Sequence, residues 1–419
     1  MTKQIFNRGS RVGRHCRWLG LIAMLSSPLA GAISQEILAE FRPDSSQPNR
    51  NVFINKTPES GYCAQYPAEC KSNNMFSIRL PIMFRAKRPI FAGNAPEAGA
   101  TFTVPAEWRQ LTVRNTDTQQ TETVEVRITG IGSRYELGVP AAELVGVTDI
   151  LEGHKKLWGS GSWVNAPPPC VYSGVGMYGP DTYGFFWKTP KESACAKIAQ
   201  YFIPDMLYSY LDFAYELRTP NPLRMSAGRY VGEMNYVIGP GGDFDMGQVM
   251  LPTDGALNLN FVLDVQHTLK VDIPPGGEKI RLEPSGGWQQ WMQSGRRPTR
   301  LFRDQTFLIS ASSKFRMRIE CELQVIRGCG IRDDVTGAGG SVLVSVSLPD
   351  GLTDEAGNPI KKYPLSKSNS GMFQPGQYVD RKPGVLHFEM SEADTSYLIR
   401  RNEGRPFRGL ISVIWDSQI

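Results

Sequence analysis

The densest group of residues able to make specific contacts lies between positions 158 and 187. Trp158, Trp163, Tyr172, Tyr178, Tyr183, Phe185, Phe186 and Trp187 fall there, with Asn165 and Asp181 among them. Flat aromatic faces accept the C–H surface of a ligand, while Asn and Asp side chains bond its hydroxyls. The same aromatic types also fill cores and pack loops. The segment carries Pro167-Pro168-Pro169 and no clean period, which reads as long loops and short strands.

Other chemistry is poorly represented. His154, His267 and His387 are scattered, and no CxxC pair or His-rich partner occurs, so the residues do not suit zinc. Asp350, Asp354 and Glu355 lack the spacing of a calcium loop and read as a solvated hairpin turn. There is no GxSxG, HExxH or P-loop. A glycan-cleaving enzyme would need two carboxylates facing across a cleft, and no spacing singles out such a pair. The expectation is no enzyme, no cofactor and no metal. A net charge of +5 over 419 residues, without an Arg/Lys tract interleaved with aromatics, also argues against nucleic acid.

The elements that must position these residues are strands. Glycine (42) and proline (30) punctuate short apolar runs, which favours many turns over long helices. FSIRLPIMF from Phe76, QLTVRN, TETVEVRITGI, RYVGEMNYVIG, LNLNFVLDV, QTFLISASS, KFRMRIEC, GGSVLVSVS and GVLHFEM alternate with period two. A short helix is expected near Ala194–Tyr201, before the helix-breaking Pro204. Gly239-Pro240-Gly241-Gly242 and Pro252-Thr253-Asp254-Gly255 mark a turn-rich boundary. The reading is all-β: two immunoglobulin-like β-sandwich domains, 33–245 and 257–419, joined by a linker at 246–256.

The start reads as an export signal over 1–32. Lys3, Arg8, Arg11, Arg14 and Arg17 precede the apolar Leu19–Leu29, and Ala30-Gly31-Ala32 has the small-residue cleavage pattern. No second apolar stretch reaches spanning length, so the mature chain is expected to carry no membrane span. Cleavage would remove Cys16 and leave six cysteines, an even number that implies disulfides in an exported protein. Six allow 15 connectivities. The simplest joins sequence neighbours: Cys63–Cys70, Cys170–Cys195 and Cys321–Cys329.

The last run, GLISVIWDSQI, is an apolar strand ending at Ile419. Ile411, Val413, Trp415 and Ile419 share one face; Leu410, Ile414, Asp416 and Gln418 share the other. Alternation does not say which face meets a core. Arg405-Pro406-Phe407-Arg408-Gly409 followed by this strand resembles the C-terminus of chaperone–usher pilins. The turns Leu348–Leu352 and Asp354–Pro359 resemble hairpin turns of that family. VQHTLKVDIP, Gly286-Gly287-Trp288, LFRDQTF at 301–307 and the pair Cys321/Cys329 are similar to two-domain fimbrial adhesins, as are FINKTPESGYC from Phe53 and FSIRLP from Phe76. Many pilins carry a penultimate aromatic, where this chain has Gln418.

The resemblance implies a C-terminal pilin-type sandwich that lacks its final strand. A periplasmic chaperone, and later an adjacent pilin subunit added at the outer-membrane usher, lends the missing strand, a form of strand addition. Leu410, Ile411, Val413, Ile414, Trp415 and Ile419 are the expected groove residues, with the Ile419 carboxylate the expected anchor for the chaperone. The resemblance also implies a tip position, since about 220 residues stand where a short donor strand would. The N-terminal domain would then bind a receptor, often a glycan, and Trp158, Trp163, Asn165, Tyr172, Tyr178, Asp181, Tyr183 and Trp187 are its candidate contacts. A non-adhesive initiator subunit is the alternative. Export to the periplasm and display in a fimbrium at the cell surface follow from the same resemblance.

Overall fold

In the strand Ala256–Val265, Leu257, Leu259, Phe261, Leu263 and Val265 are all buried, and the residues between them are not. A period of two puts one strand face on a core and turns the other away. The computed structural model describes residues 32–73, 75–159, 161–368, 370–401 and 405–417. The expected leader with Cys16, and the groove residue Ile419, lie outside the described residues. The described chain is all-β with a few short helices, and none of those helices is long and apolar enough to cross a membrane.

Two large apolar cores organise the described chain, beside a small third cluster around Tyr62, Cys63, Cys70 and Phe186. The first is enclosed by a thirteen-stranded sheet and by the pair Ala100–Phe102 with Cys195–Lys197. The second draws on a seven-stranded and a four-stranded sheet, the two layers of a sandwich. In the first half the long strand Thr121–Leu137 folds the sheet over. Its start pairs with Arg109–Asn115, its middle with Leu211–Arg218, and its end with Thr182–Lys188 and Met206–Tyr208. The register slips between Ala214 and Tyr215, an irregularity of the kind that increases local twist. Gly130 and Gly132 let the strands close here, since a Cβ on either would stand 2.5 Å from the Phe186 ring.

Three expectations are corrected. The run 246–256 is not a linker: Met250–Pro252 pairs with Phe84–Ala86, and Val249 and Met250 are fully buried. The strand Ala256–Val265, expected to open the second domain, pairs antiparallel with Gly228–Val237 and parallel with Ile33–Phe41, deep in the first sheet. The change of core falls between Val265 and Leu269. Glycine and proline clusters mark hairpin turns inside a sheet as readily as linkers. The helix expected near Ala194–Tyr201 is instead the short strand Cys195–Lys197, held by its pairing and by a disulfide. A helix appears earlier, at Ile150–Leu157, where Asp149 caps the Glu152 N–H at 2.8 Å.

At the crossing between cores, His267 Nε2 donates to the Met225 carbonyl at 2.8 Å and Nδ1 meets Ser312 Oγ at 3.1 Å. Burial pushes its pKa down. The cysteines are joined as Cys63–Cys70, Cys170–Cys195 and Cys321–Cys329.

Candidate binding surfaces

The aromatic segment divides into a buried set and an exposed set. Trp158, Trp163 and Trp187 have no exposed surface, and Tyr183 has 2%. Trp163 lies at the centre, with ring centroids 4.7 Å from Tyr135 and Phe185, 5.1 Å from Trp158 and 5.4 Å from Trp187. Trp187 Nε1 donates to the Trp163 carbonyl at 2.7 Å. These four rings leave no face for a ligand, which corrects their assignment as contacts. A loop without period can still thread a core when its turns are satisfied from neighbouring strands.

Several polar groups inside this cluster are paired, while the Trp163 indole N–H and the Tyr208 hydroxyl are buried without a hydrogen-bond partner among the described residues. His154 Nε2 donates to the Gly179 carbonyl at 2.8 Å, so Nδ1 is left to accept from the Tyr135 hydroxyl at 2.5 Å. Burial lowers the His154 pKa and raises that of Tyr135 well above 10.0. Lys197 Nζ lies 3.2 Å from the Ser162 carbonyl, and burial pulls its pKa down to about 8. A cluster so closed and so apolar is suited to rigidity and not to exchange of ligand.

The exposed set centres on the edge strand Val171–Tyr178, which among the described residues pairs only with Thr182–Lys188. Tyr172 and Tyr178 are each 49% exposed, and Val171 and Met177 flank them in solvent. Asn165 is exposed, and Asp181 is half-buried with its carbonyl accepting from the Leu137 N–H. The structure therefore keeps Asn165, Tyr172 and Tyr178 at the surface. A further exposed aromatic group, Phe91, Tyr201 and Phe202, has no counterpart among the sequence expectations. Its one signal is the pairing of each phenylalanine with a neighbouring isoleucine, which forces one of the two outward.

The second surface is the terminal strand Ile411–Ser417. It pairs over all seven residues with Phe315–Cys321 and has no strand on its other edge among the described residues. Ile411, Val413 and Trp415 turn toward the second core yet stay half-buried, whereas Phe315, Met317 and Ile319 next door are at 0–1% exposure. Ile414 is half-buried on the opposite face, and Leu410 is 66% exposed just before the strand. Trp415 Nε1 is buried without a hydrogen-bond partner among the described residues.

The facing sheet is also open at this seam. The strand Leu301–Ala311 is covered at one end by Leu269–Asp272 and at the other by Glu283–Pro284, so residues 303–307 lack a strand partner on that side among the described residues. Phe307 belongs to this stretch, and its ring lies 5.8 Å from that of Trp415. Among the described residues, each layer of the sandwich thus has one unpaired edge beside this aromatic contact. Ile280 and Leu282, half-buried in the loop alongside, complete the apolar lining.

No family model matches the sequence, and no curated protein does. Among solved structures, the chain is similar to CfaE, the adhesive subunit of CFA/I fimbria of enterotoxigenic Escherichia coli, at 9% identity and TM-score 0.26, covering 93% of this chain and 95% of that one. It is similar to a chain of a chaperone–tip adhesin complex of CFA/I fimbriae at 10% identity and TM-score 0.25, covering 93% and 97%. A third likeness is to a chain of the CsuC–CsuE chaperone–tip adhesion subunit complex from the archaic Csu pili of Acinetobacter baumannii, at 7% identity and TM-score 0.23, covering 92% and 98%.

Proposed function

We propose that this chain is the tip adhesin of a chaperone–usher fimbrium, exported to the periplasm and displayed at the cell surface. The carrying observation is the seam at Phe307 and Trp415, where the terminal strand and the strand facing it each have one edge without a strand partner among the described residues. An added strand would pair with the free edge of Ile411–Ser417, cover Ile411, Val413 and Trp415, and offer a carbonyl to the Trp415 indole. Three to five apolar side chains placed in such a groove are worth about 1.5–3 kcal/mol each. That sum is comparable to the 5–15 kcal/mol that holds a whole domain. The donor is first the periplasmic chaperone and, at the outer-membrane usher, the adjacent pilin subunit.

The tip position is supported at the other end of the chain. Residues Ile33–Phe41 pair over nine positions with Ala256–Val265, and Ile37, Ala39 and Phe41 are buried in the first core. This strand is committed to its own sheet and is not free to be lent. The first half then serves as receptor binder, for a glycan contacted by Tyr172, Tyr178 and Asn165. No catalysis is assigned to it. Burial of four of the candidate aromatics favours a second reading, a non-adhesive initiator.

Co-expression of the full chain with its cognate chaperone tests the proposal. A stoichiometric complex is expected, and Val413→Asp abolishes it by placing a charge in the groove. A full chain that purifies alone as a stable monomer, and gains no stability from an added strand peptide, removes the strand-accepting role. Glycan-array binding by the complex separates adhesin from initiator.

A further inference from the structure

Ile90 and Ile203 are each 1% exposed in the first core. Their backbones exchange hydrogen bonds in both directions, at 3.0 and 2.9 Å. Side chains alternate along extended backbone, so Phe91 and Phe202 must turn outward. They are 58% and 48% exposed with ring centroids 5.5 Å apart, and Tyr201 beside them is 38% exposed. The Gly93 N–H to Ala199 carbonyl bond and the Gln200 N–H to Leu157 carbonyl bond, each 2.8 Å, pin the same loops. A fixed pair of phenylalanines held in water marks an interaction surface.

Strand registers place this pair far from the second core. The long strand begins at Thr121, opposite Arg114, which pairs with Val231 close to where Gly228 meets Val265. It runs for 17 residues and ends at Leu137, which pairs with Met206. The chain runs out past that end from Phe84–Ala86 to Phe91, and returns from Phe202 to Met206.

The two loops that carry the pair bear net positive charge, and Asp205 just beyond them is paired with Arg85 at 3.3 Å. Residues 87–94 and 198–204 contain no carboxylate. Lys87 and Arg88 are exposed, and neither has an ion pair among the described residues. Side chains suited to sugar hydroxyls are occupied: Asn94 donates to the Ala95 carbonyl and accepts from the Ala199 N–H, and Gln200 donates to the Ile198 carbonyl.

We propose that this end of the first half docks on a lipid surface bearing anionic headgroups. Phe91 and Phe202 enter the interfacial layer, and Lys87 and Arg88 meet the headgroups. The proposal does not depend on the glycan reading. Sedimentation of the full chain, purified with its chaperone, with vesicles of phosphatidylcholine alone or with added phosphatidylserine tests it. Binding is expected to the anionic vesicles. Phe91→Ser/Phe202→Ser weakens it by about tenfold or more, and Lys87→Gln/Arg88→Gln by about tenfold or more. All four side chains are exposed, so the thermal transition stays in place in both variants. Failure of the wild-type chain to bind either vesicle overturns the proposal, as does unchanged binding by the phenylalanine variant. A glycan-array signal lost in that variant, without vesicle binding, transfers the surface to a sugar and overturns it too.

Discussion

The Arg79 guanidinium reaches the Asp212 carboxylate with one nitrogen, Nη2 to Oδ2 at 2.9 Å, and lies over the Tyr210 ring 3.7 Å from its centroid. Asp212 is 2% exposed. Burial outweighs the guanidinium and raises the Asp212 pKa from 3.8 to about 7. A carboxyl whose pKa is higher folded than unfolded binds more protons in the folded state between those two values. Stability therefore falls as pH rises from about 4 to about 7, by at most about 1.4 kcal/mol per pH unit. Asp212→Asn should remove this slope and be at least as stable as wild type above pH 7. Thermal unfolding across that range checks it, and parallel profiles for the two proteins would refute the assignment.

His154 should act with the opposite sign. Its pKa is lowered from 6.5 by burial, so the unfolded chain takes up the proton first on acidification. Stability is present above pH 6.5 and is lost below it. The background Asp212→Asn removes the opposing slope; His267, whose pKa burial also lowers, acts with the same sign, so His154→Gln in that background should reduce the acid limb and leave the His267 share. His154→Ala should cost about 2–4 kcal/mol, since it leaves the Tyr135 hydroxyl without its acceptor and the Gly179 carbonyl without its donor in a buried site.

The buried and exposed aromatics should separate in a mutant series. Trp163→Ala should destabilise by about 3–5 kcal/mol, as expected for an indole removed from a filled core. Tyr172→Ala and Tyr178→Ala should change stability by less than about 0.5 kcal/mol. They should weaken receptor binding instead. Denaturant titration alongside array binding distinguishes the two groups, and a large stability loss in the tyrosine variants would place them in the core.

Removal of the disulfides should follow loop length. Cys170–Cys195 closes a separation of 25 and Cys321–Cys329 one of 8. Loop-closure entropy puts the losses at about 3.5 and about 2.5 kcal/mol. Equilibrium unfolding of the paired Cys→Ser variants checks the order.

Sequence by itself determined the strands that alternate, because alternation is a local property: Leu257 to Val265 and Ile411 to Trp415 declare one apolar face whatever they pair with, whereas the three-residue Cys195–Lys197 is too short to show a period. It could not assign those strands to sheets. Ala256–Val265 joins a strand more than 200 residues earlier, a choice made by packing across the first core. Only the fold decided that Trp163 is enclosed while Tyr172 is wet, because both sit in an aperiodic segment where no face is marked. The face of the terminal strand that meets the core, and the open seam at Phe307 and Trp415, likewise come from two sheets meeting. Local pattern fixes which side chains seek burial; the long-range closure of the sheets settles which of them find it.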